Sequence, residues 1–319
     1  MAYTSGTANT MANLATYIAS FAGSNGWTYG AGGVLYNANG AVRITVPDGS
    51  TLKIEGANDS GFSDQCPKYS QICDPVFPVQ YDLFAFNSPD FVACLILYNN
   101  IRQWCAWGDL TKYGAWTGGN WFGATCTNSP STRVPSIYNA TDNALNPASP
   151  PYVYPVGRGS SGGLFLYSLG WNAKNQDNDK REGDGSFLHC EEYSGSPYKW
   201  ANGAQFCDLL NQVSNPMGTV YSRPLVQQLL LASPNTWNSQ TILLPFWIGC
   251  NNTPGGQIAL LGDIPWIRHM RMDYYNDGDV ITLGSDKWKV FPWIHKDISM
   301  GRADWSSQTL GWAIKYTGL

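Results

Sequence analysis

The feature that most constrains this chain is its punctuation: short apolar runs, each closed by a turn signal. Val34-Leu35-Tyr36 is followed by Asn39-Gly40, and Val42-Arg43-Ile44-Thr45-Val46 by Asp48-Gly49. Thr51-Leu52-Lys53-Ile54-Glu55 then places Leu52 and Ile54 on one side. Asn-Gly and Asp-Gly supply the positive φ that a tight hairpin turn needs, so residues 33–57 are expected to form a meander. Tyr81 to Phe86 reads as a further strand, and Phe91 to Tyr98 is apolar enough to be buried on both faces. Asn99-Asn100 is a turn, and Ile101 to Trp107 returns as its hairpin partner. Strands are also expected at 164–171, 187–193, 219–232, 241–249, 280–283, 287–293 and 309–316, with Ala259 to Arg268 leading into another.

Helical spacing is the exception. Met11, Leu14, Ile18 and Phe21 make one apolar face over residues 10–22, with Thr10 placed to cap the start, Gly23 to end it, and Trp27 to pack beneath. Trp200 to Val213 is the candidate second helix, with Phe206, Leu209, Leu210 and Val213 on one face. Residues 58–80, 108–119 and 172–184 read as loops, and 126–160 as a long excursion. The expected fold is mainly β (α+β): antiparallel sheets or a β-sandwich with a few short helices and long irregular loops. The expected organisation is a helix plus an antiparallel β domain over 1–130, an extended segment over 131–160, and a mainly β domain over 161–319. The alternative is one domain carrying 126–160 as an insertion.

Composition narrows the function. Of 319 residues only 13% are charged and the net charge is −4, which argues against nucleic acid, since phosphate binding needs an excess of Lys and Arg. No apolar run is long enough for a membrane-spanning helix, and the N-terminus lacks the basic and apolar regions of a signal peptide. Aromatic residues make up 14%, with 34 Gly and 19 Pro. Scarce charge with abundant aromatics suits a surface covered by neighbours, because interfaces gain Tyr, Trp and Phe and lose Lys, Glu and Asp. The competing account is a monomer with a large aromatic core.

Eight cysteines carry no C-x-x-C spacing, so a zinc ribbon is not expected. Cys66 could pair with Cys73, and Cys94 could face Cys105 across the hairpin; the preferred reading is buried thiols acting as small apolar groups. Gly159-Ser160-Ser161-Gly162-Gly163 matches G-x-S-x-G, but a strand-like run follows Ser161 where a nucleophile elbow needs a helix. His189, His269 and His295 form no metal motif, and Asn172, Asn175, Asp177, Asp179 and Asp184 miss the EF-hand pattern. No cofactor, metal or catalytic residue is therefore assigned, and the chain is not expected to be an enzyme.

Two stretches resemble a known family. The first is 81–125, with Trp107-Gly108-Asp109-Leu110-Thr111-Lys112-Tyr113-Gly114-Ala115-Trp116-Thr117-Gly118-Gly119-Asn120-Trp121 after its hairpin. The second is 259–293, with Leu261-Gly262-Asp263-Ile264-Pro265-Trp266-Ile267-Arg268 and Gly278 to Pro292. Both look like tailed-bacteriophage virion proteins of the tail or baseplate type, and the Gly26-Trp27-Thr28 step is similar too. The resemblance implies a structural component of a phage tail (baseplate, tail tip or neck), assembled in the host cytoplasm and resident in the virion. Its partners would be copies of itself and adjoining virion proteins. The alternative is a tail protein that binds or degrades host-surface glycan. Trp107, Trp116, Trp121, Trp266 and Trp293 are the candidate interface anchors, chosen for size, amphipathic character and, for the first three, glycine-rich context.

Overall fold

The structure is a computed structural model. It describes residues 1–63, 65–73, 75–98, 101–116, 118–125, 127–128, 135–136, 186–191, 200–202, 240–251, 258–292, 296 and 310–318. The chain opens with β1 (Ala2–Ala8), α1 (Met11–Gly23) and β2 (Thr28–Tyr29), followed by β3 (Val34–Tyr36), β4 (Ala41–Thr45), β5 (Thr51–Ala57) and β6 (Gln65–Cys73). Next come β7 (Val79–Phe86), β8 (Phe91–Tyr98), β9 (Ile101–Asp109), β10 (Thr111–Lys112), β11 (Asn120–Thr125), β12 (Thr127–Asn128) and β13 (Pro135–Ser136). The C-terminal half supplies β14 (Ser186–Glu191), β15 (Trp200–Asn202), β16 (Leu244–Asn251), β17 (Ile258–Arg271), β18 (Val280–Leu283), β19 (Asp286–Pro292) and β20 (Leu310–Tyr316). The expected mainly β, antiparallel class is the one observed.

The strands build three main sheets. A central sheet runs β1-β7-β8-β9-β11-β14-β15, a second runs β2-β3-β4-β5-β6, and a third runs β10-β17-β20-β19-β18 with β16 also on β17. The inner strands β7, β8, β9 and β11 are buried on both faces, and the alternation of their side chains sorts them into two cores. Along β8, Phe91, Ala93 and Leu95 face the third sheet, while Val92, Cys94, Ile96 and Tyr98 face α1 and the second sheet. On β9, Trp104 and Ala106 take the first side and Cys105 and Trp107 the other. The two-sided burial expected of Phe91 to Tyr98 is thus shared by the inner strands β7, β8, β9 and β11.

Local chemistry explains the flanking layers. The Thr10 hydroxyl accepts from the Asn13 backbone N–H and caps α1, whose Met11, Leu14, Ile18 and Ala22 are buried. Gly23 is the last helical residue, and the backbone N–H of Trp27 donates to the Ala22 carbonyl and brings the indole under the helix, against Trp107 at 6.0 Å edge-to-face. The meander forms as expected. Its Asn39-Gly40 turn is held against the central sheet by Asn37, which donates to Asp90 (2.7 Å), and by Asn39, which donates to Asp109.

Several expectations are corrected. The segment 58–80 contains β6, and 1–8 forms β1, an edge of the central sheet. Cys66 and Cys73 lie at opposite ends of β6, roughly 20 Å apart at about 3.3 Å per residue, too far to pair. Trp200–Asn202 is a strand, the rest of the candidate helix (203–213) lies outside the described residues, and α1 is the one α-helix among those described. β14 and β15 extend the sheet that the N-terminal half begins, and the core facing the third sheet draws on residues of both halves. The expected strands at 164–171 and 219–232, and nearly all of the 126–160 excursion, lie outside the described residues.

Two positions generate tests. Gly56 on β5 approaches the central sheet so closely that a Cβ would sit 2.7 Å from the Phe122 ring. Gly56→Ala is expected to cost about 1–3 kcal/mol by overpacking, read as a lower urea midpoint. His269 on β17 is 3% exposed and stacks on Phe246 at 4.2 Å, and burial holds its pKa down at about 3. The unfolded chain takes up a proton near pH 6.5 that the folded chain refuses, so this contribution is complete above that pH. It falls by about 1.4 kcal/mol per pH unit below it, down to about pH 3. Thermal melts from pH 7 to 4 are expected to show that slope, and His269→Phe to flatten it.

Candidate interaction surface

The third sheet is fixed to the central one by a buried polar cluster. Asp82 on β7, Arg102 on β9 and Tyr3 on β1 all point toward it, and Lys289 on β19 reaches back. The Asp82 carboxylate accepts from the Tyr3 hydroxyl (2.7 Å), Lys289 Nζ (2.7 Å) and Arg102 Nη1 (3.0 Å). Arg102 also donates through Nη2 to Asp277 (2.8 Å), in the turn before β18, and lies 4.9 Å over the Phe291 ring. Two cations thus meet two carboxylates. Burial by itself would raise the Asp82 pKa, but Arg102, Lys289 and the Tyr3 hydroxyl outweigh it and hold the carboxyl below its usual range. Burial would lower Lys289, and Asp82 and Tyr3 more than reverse that.

This cluster sets where β18 and the 273–279 turn stand, and they carry much of the exposed apolar surface. β18 is the terminal strand of the third sheet and pairs only with β19 among the described residues. Its sequence, Val280-Ile281-Thr282-Leu283, has neither charge nor proline to discourage pairing with another chain, and brevity is its one protection. Val280 is 45% and Leu283 53% exposed. Exposed Ile242 and Tyr274 adjoin Leu243 and Tyr275, which with Ile281 cover Met270, Met272, Trp288 and Val290 on the sheet's outer side.

A second exposed feature follows the β9 strand. β10 pairs with β17 through Thr111–Asp263 and Lys112–Gly262, which exposes Tyr113. Burial and the neighbouring Asp263 carboxylate raise the Tyr113 pKa. Burial raises the Asp263 pKa, opposed by Tyr113 and Arg268, and Arg268 lies 4.8 Å over Trp288. This partly exposed carboxyl, phenol and guanidinium can give and accept hydrogen bonds beside aromatic faces.

The tryptophans proposed as anchors separate. Trp107 and Trp121 are each 1% exposed and belong to the two cores, so neither presents a face to a partner; the glycines around them allow close packing of layers. Trp116 is half-buried, with Lys112 beside its ring (5.4 Å) and donating to its carbonyl (3.1 Å). Trp266 is half-buried, stacked on Phe86 (4.5 Å), and donates through Nε1 to the Pro89 carbonyl (2.9 Å). Trp293, Ser161, His295 and the 172–184 loop lie outside the described residues, and of His189 only the backbone, in β14, is described. Among the described residues no cluster of His, Cys, Asp and Glu is placed to hold a metal, and no helix is long and apolar enough to cross a membrane. A crevice lined by Trp27, Gly56, Trp107 and Asn120 has no room for a water molecule.

Sequence reasoning missed Asp82, Arg102 and Lys289. The signal was there: a lone Asp in Tyr-Asp-Leu-Phe and a lone Arg in Ile-Arg-Gln-Trp, each inside an apolar strand, have to find opposite charge indoors. Asp82→Ala leaves Arg102 and Lys289 with Asp277 as the one remaining carboxylate of the cluster, and is expected to cost about 3–5 kcal/mol in chemical denaturation. The folded Asp82 pKa is depressed, so its contribution is full above about pH 4 and is lost as pH falls through the folded value. Asp82→Asn should therefore leave the slope between pH 6.5 and 4.5 unchanged, which separates it from His269.

No protein-family model matches the chain, and no curated protein matches it.

Proposed function

We propose that the chain is a structural subunit of a tailed-bacteriophage tail, self-assembling and contacting adjacent virion proteins. The observation that carries the self-assembly is the uncharged, exposed edge strand β18, held in place by the Asp82–Arg102–Asp277 cluster. An edge of this kind is a template for a further strand, and its exposed Val280 and Leu283 would be covered by one. The low charge of the chain, 13%, suits lasting interfaces. The placement in a phage tail rests on the resemblance of 81–125 and 259–293, stretches that supply much of the central and third sheets.

Light scattering over a wide concentration range tests the assembly. A closed oligomer or a polymer is expected, and Val280→Lys with Leu283→Lys is expected to return it to monomer without lowering its melting temperature by more than a few degrees. A wild-type chain that stays monomeric throughout removes self-assembly from this reading.

A glycan-binding tail protein is the second reading, favoured by Tyr113 standing exposed beside Asp263 and Arg268. Its mark would be binding to host cells or a glycan array that Tyr113→Ala abolishes while the oligomer persists.

A further inference from the structure

Cys94 on β8 and Cys105 on β9 are direct partners in the antiparallel ladder. Both face α1 and the second sheet, 0% and 2% exposed, and both are free thiols. Directly opposed residues in such a ladder have Cα atoms about 4.5–5.5 Å apart, inside the roughly 4.4–6.8 Å that a disulfide spans. The backbone register therefore places the two residues within the span of a disulfide.

Access is the opposing constraint. The two sulfurs lie between layers, on adjacent inner strands of the central sheet, with Val92, Ile96, Trp107 and Phe122 in the same core. Burial pushes the Cys94 thiol well above its usual range, so the nucleophilic thiolate is scarce in the folded protein. A solute reaches either sulfur only when the layers part, and parting them removes the main core.

We propose that Cys94 and Cys105 are a disulfide site whose state is decided while the chain folds and is sealed afterwards. Folding among reduced small thiols leaves a dithiol; folding with a small-molecule disulfide, such as glutathione disulfide, closes the bond. In that reaction the Cys94 thiolate attacks one sulfur of glutathione disulfide and releases one glutathione. The Cys105 thiolate then attacks Cys94 Sγ and releases the second. The two cysteines are oxidised by two electrons, the glutathione disulfide is reduced, and the two cysteine protons end on the two glutathiones. A chain made in a reducing cytoplasm therefore keeps its dithiol after release into an oxidising medium.

The test is cell-free synthesis of the full chain in two media, one holding reduced glutathione and one holding mostly glutathione disulfide. Soluble protein is alkylated and mapped by mass spectrometry, so that Cys94 and Cys105 are scored apart from the other cysteines. The expected result is a linked Cys94–Cys105 peptide as the main species from the oxidising synthesis and two alkylated thiols from the reducing one. Each folded product is then moved to the opposite medium overnight. Neither is expected to change until denaturant is added, whereupon both exchange. A soluble product from the oxidising synthesis with Cys94 and Cys105 unlinked overturns the proposal, as does exchange in the folded protein at the rate seen in denaturant. Should oxidising synthesis give no soluble wild-type chain while Cys94→Ala with Cys105→Ala stays soluble, the linked state does not fit the fold, and the proposal fails.

Discussion

Everything in this molecule depends on a sheet with no wet face. Because the inner strands of the central sheet are apolar on both sides, neither face is stable against water, and each must be covered by a separate layer. Helix α1 and the small meander cover one face, and the third sheet covers the other. The two cores are therefore coupled through shared strands: Trp104 and Cys105 are neighbours in sequence yet belong to opposite sides. A change that shifts β8 or β9 is felt in both.

The polar cluster at Asp82 follows from that arrangement. Two stacked apolar sheets can slide, since apolar contact has little directional preference. A carboxylate that must be met by Tyr3, Arg102 and Lys289 at hydrogen-bonding distance tolerates little sliding. The cluster thus gives register between layers, and Arg102 extends it to Asp277 beside the exposed edge. The exposed edge strand β18 is thus placed by the ion pair between Arg102 and Asp277.

The local elements were largely legible. Period-two runs bounded by Asn39-Gly40 and Asp48-Gly49 gave the meander, and the unbroken run Phe91 to Tyr98 gave a strand buried on both sides. Thr10 and the Met11, Leu14, Ile18 spacing gave α1. What escaped had weak local signals. β1, with the small polar residues Thr4, Ser5, Gly6 and Thr7, is a strand because β7 offers it a ladder. β6 lies in Cys- and Pro-containing sequence and exists because β5 needs a partner. A glycine-rich setting suggests interface anchors at Trp107 and Trp121, yet both are buried in the cores. The same glycines instead let backbones approach: a Cβ on Gly108 would lie 2.0 Å from the Asp90 carbonyl oxygen. Large aromatic side chains beside such glycines fit a tight interior as well as an interface.

By itself the sequence determined which segments extend, where the chain turns, and that one strand would be buried on both faces, because alternation and turn chemistry act between residues a few positions apart. Only the tertiary structure decided that residues 186–191 and 200–202 finish a sheet begun at residue 2, that Asp82 would find Lys289, and that β18 would be the strand left at an edge. Those outcomes turn on which surfaces are available to be covered once the layers stack. Burial is non-directional and joins residues far apart in the chain, so no local pattern encodes which layer covers which.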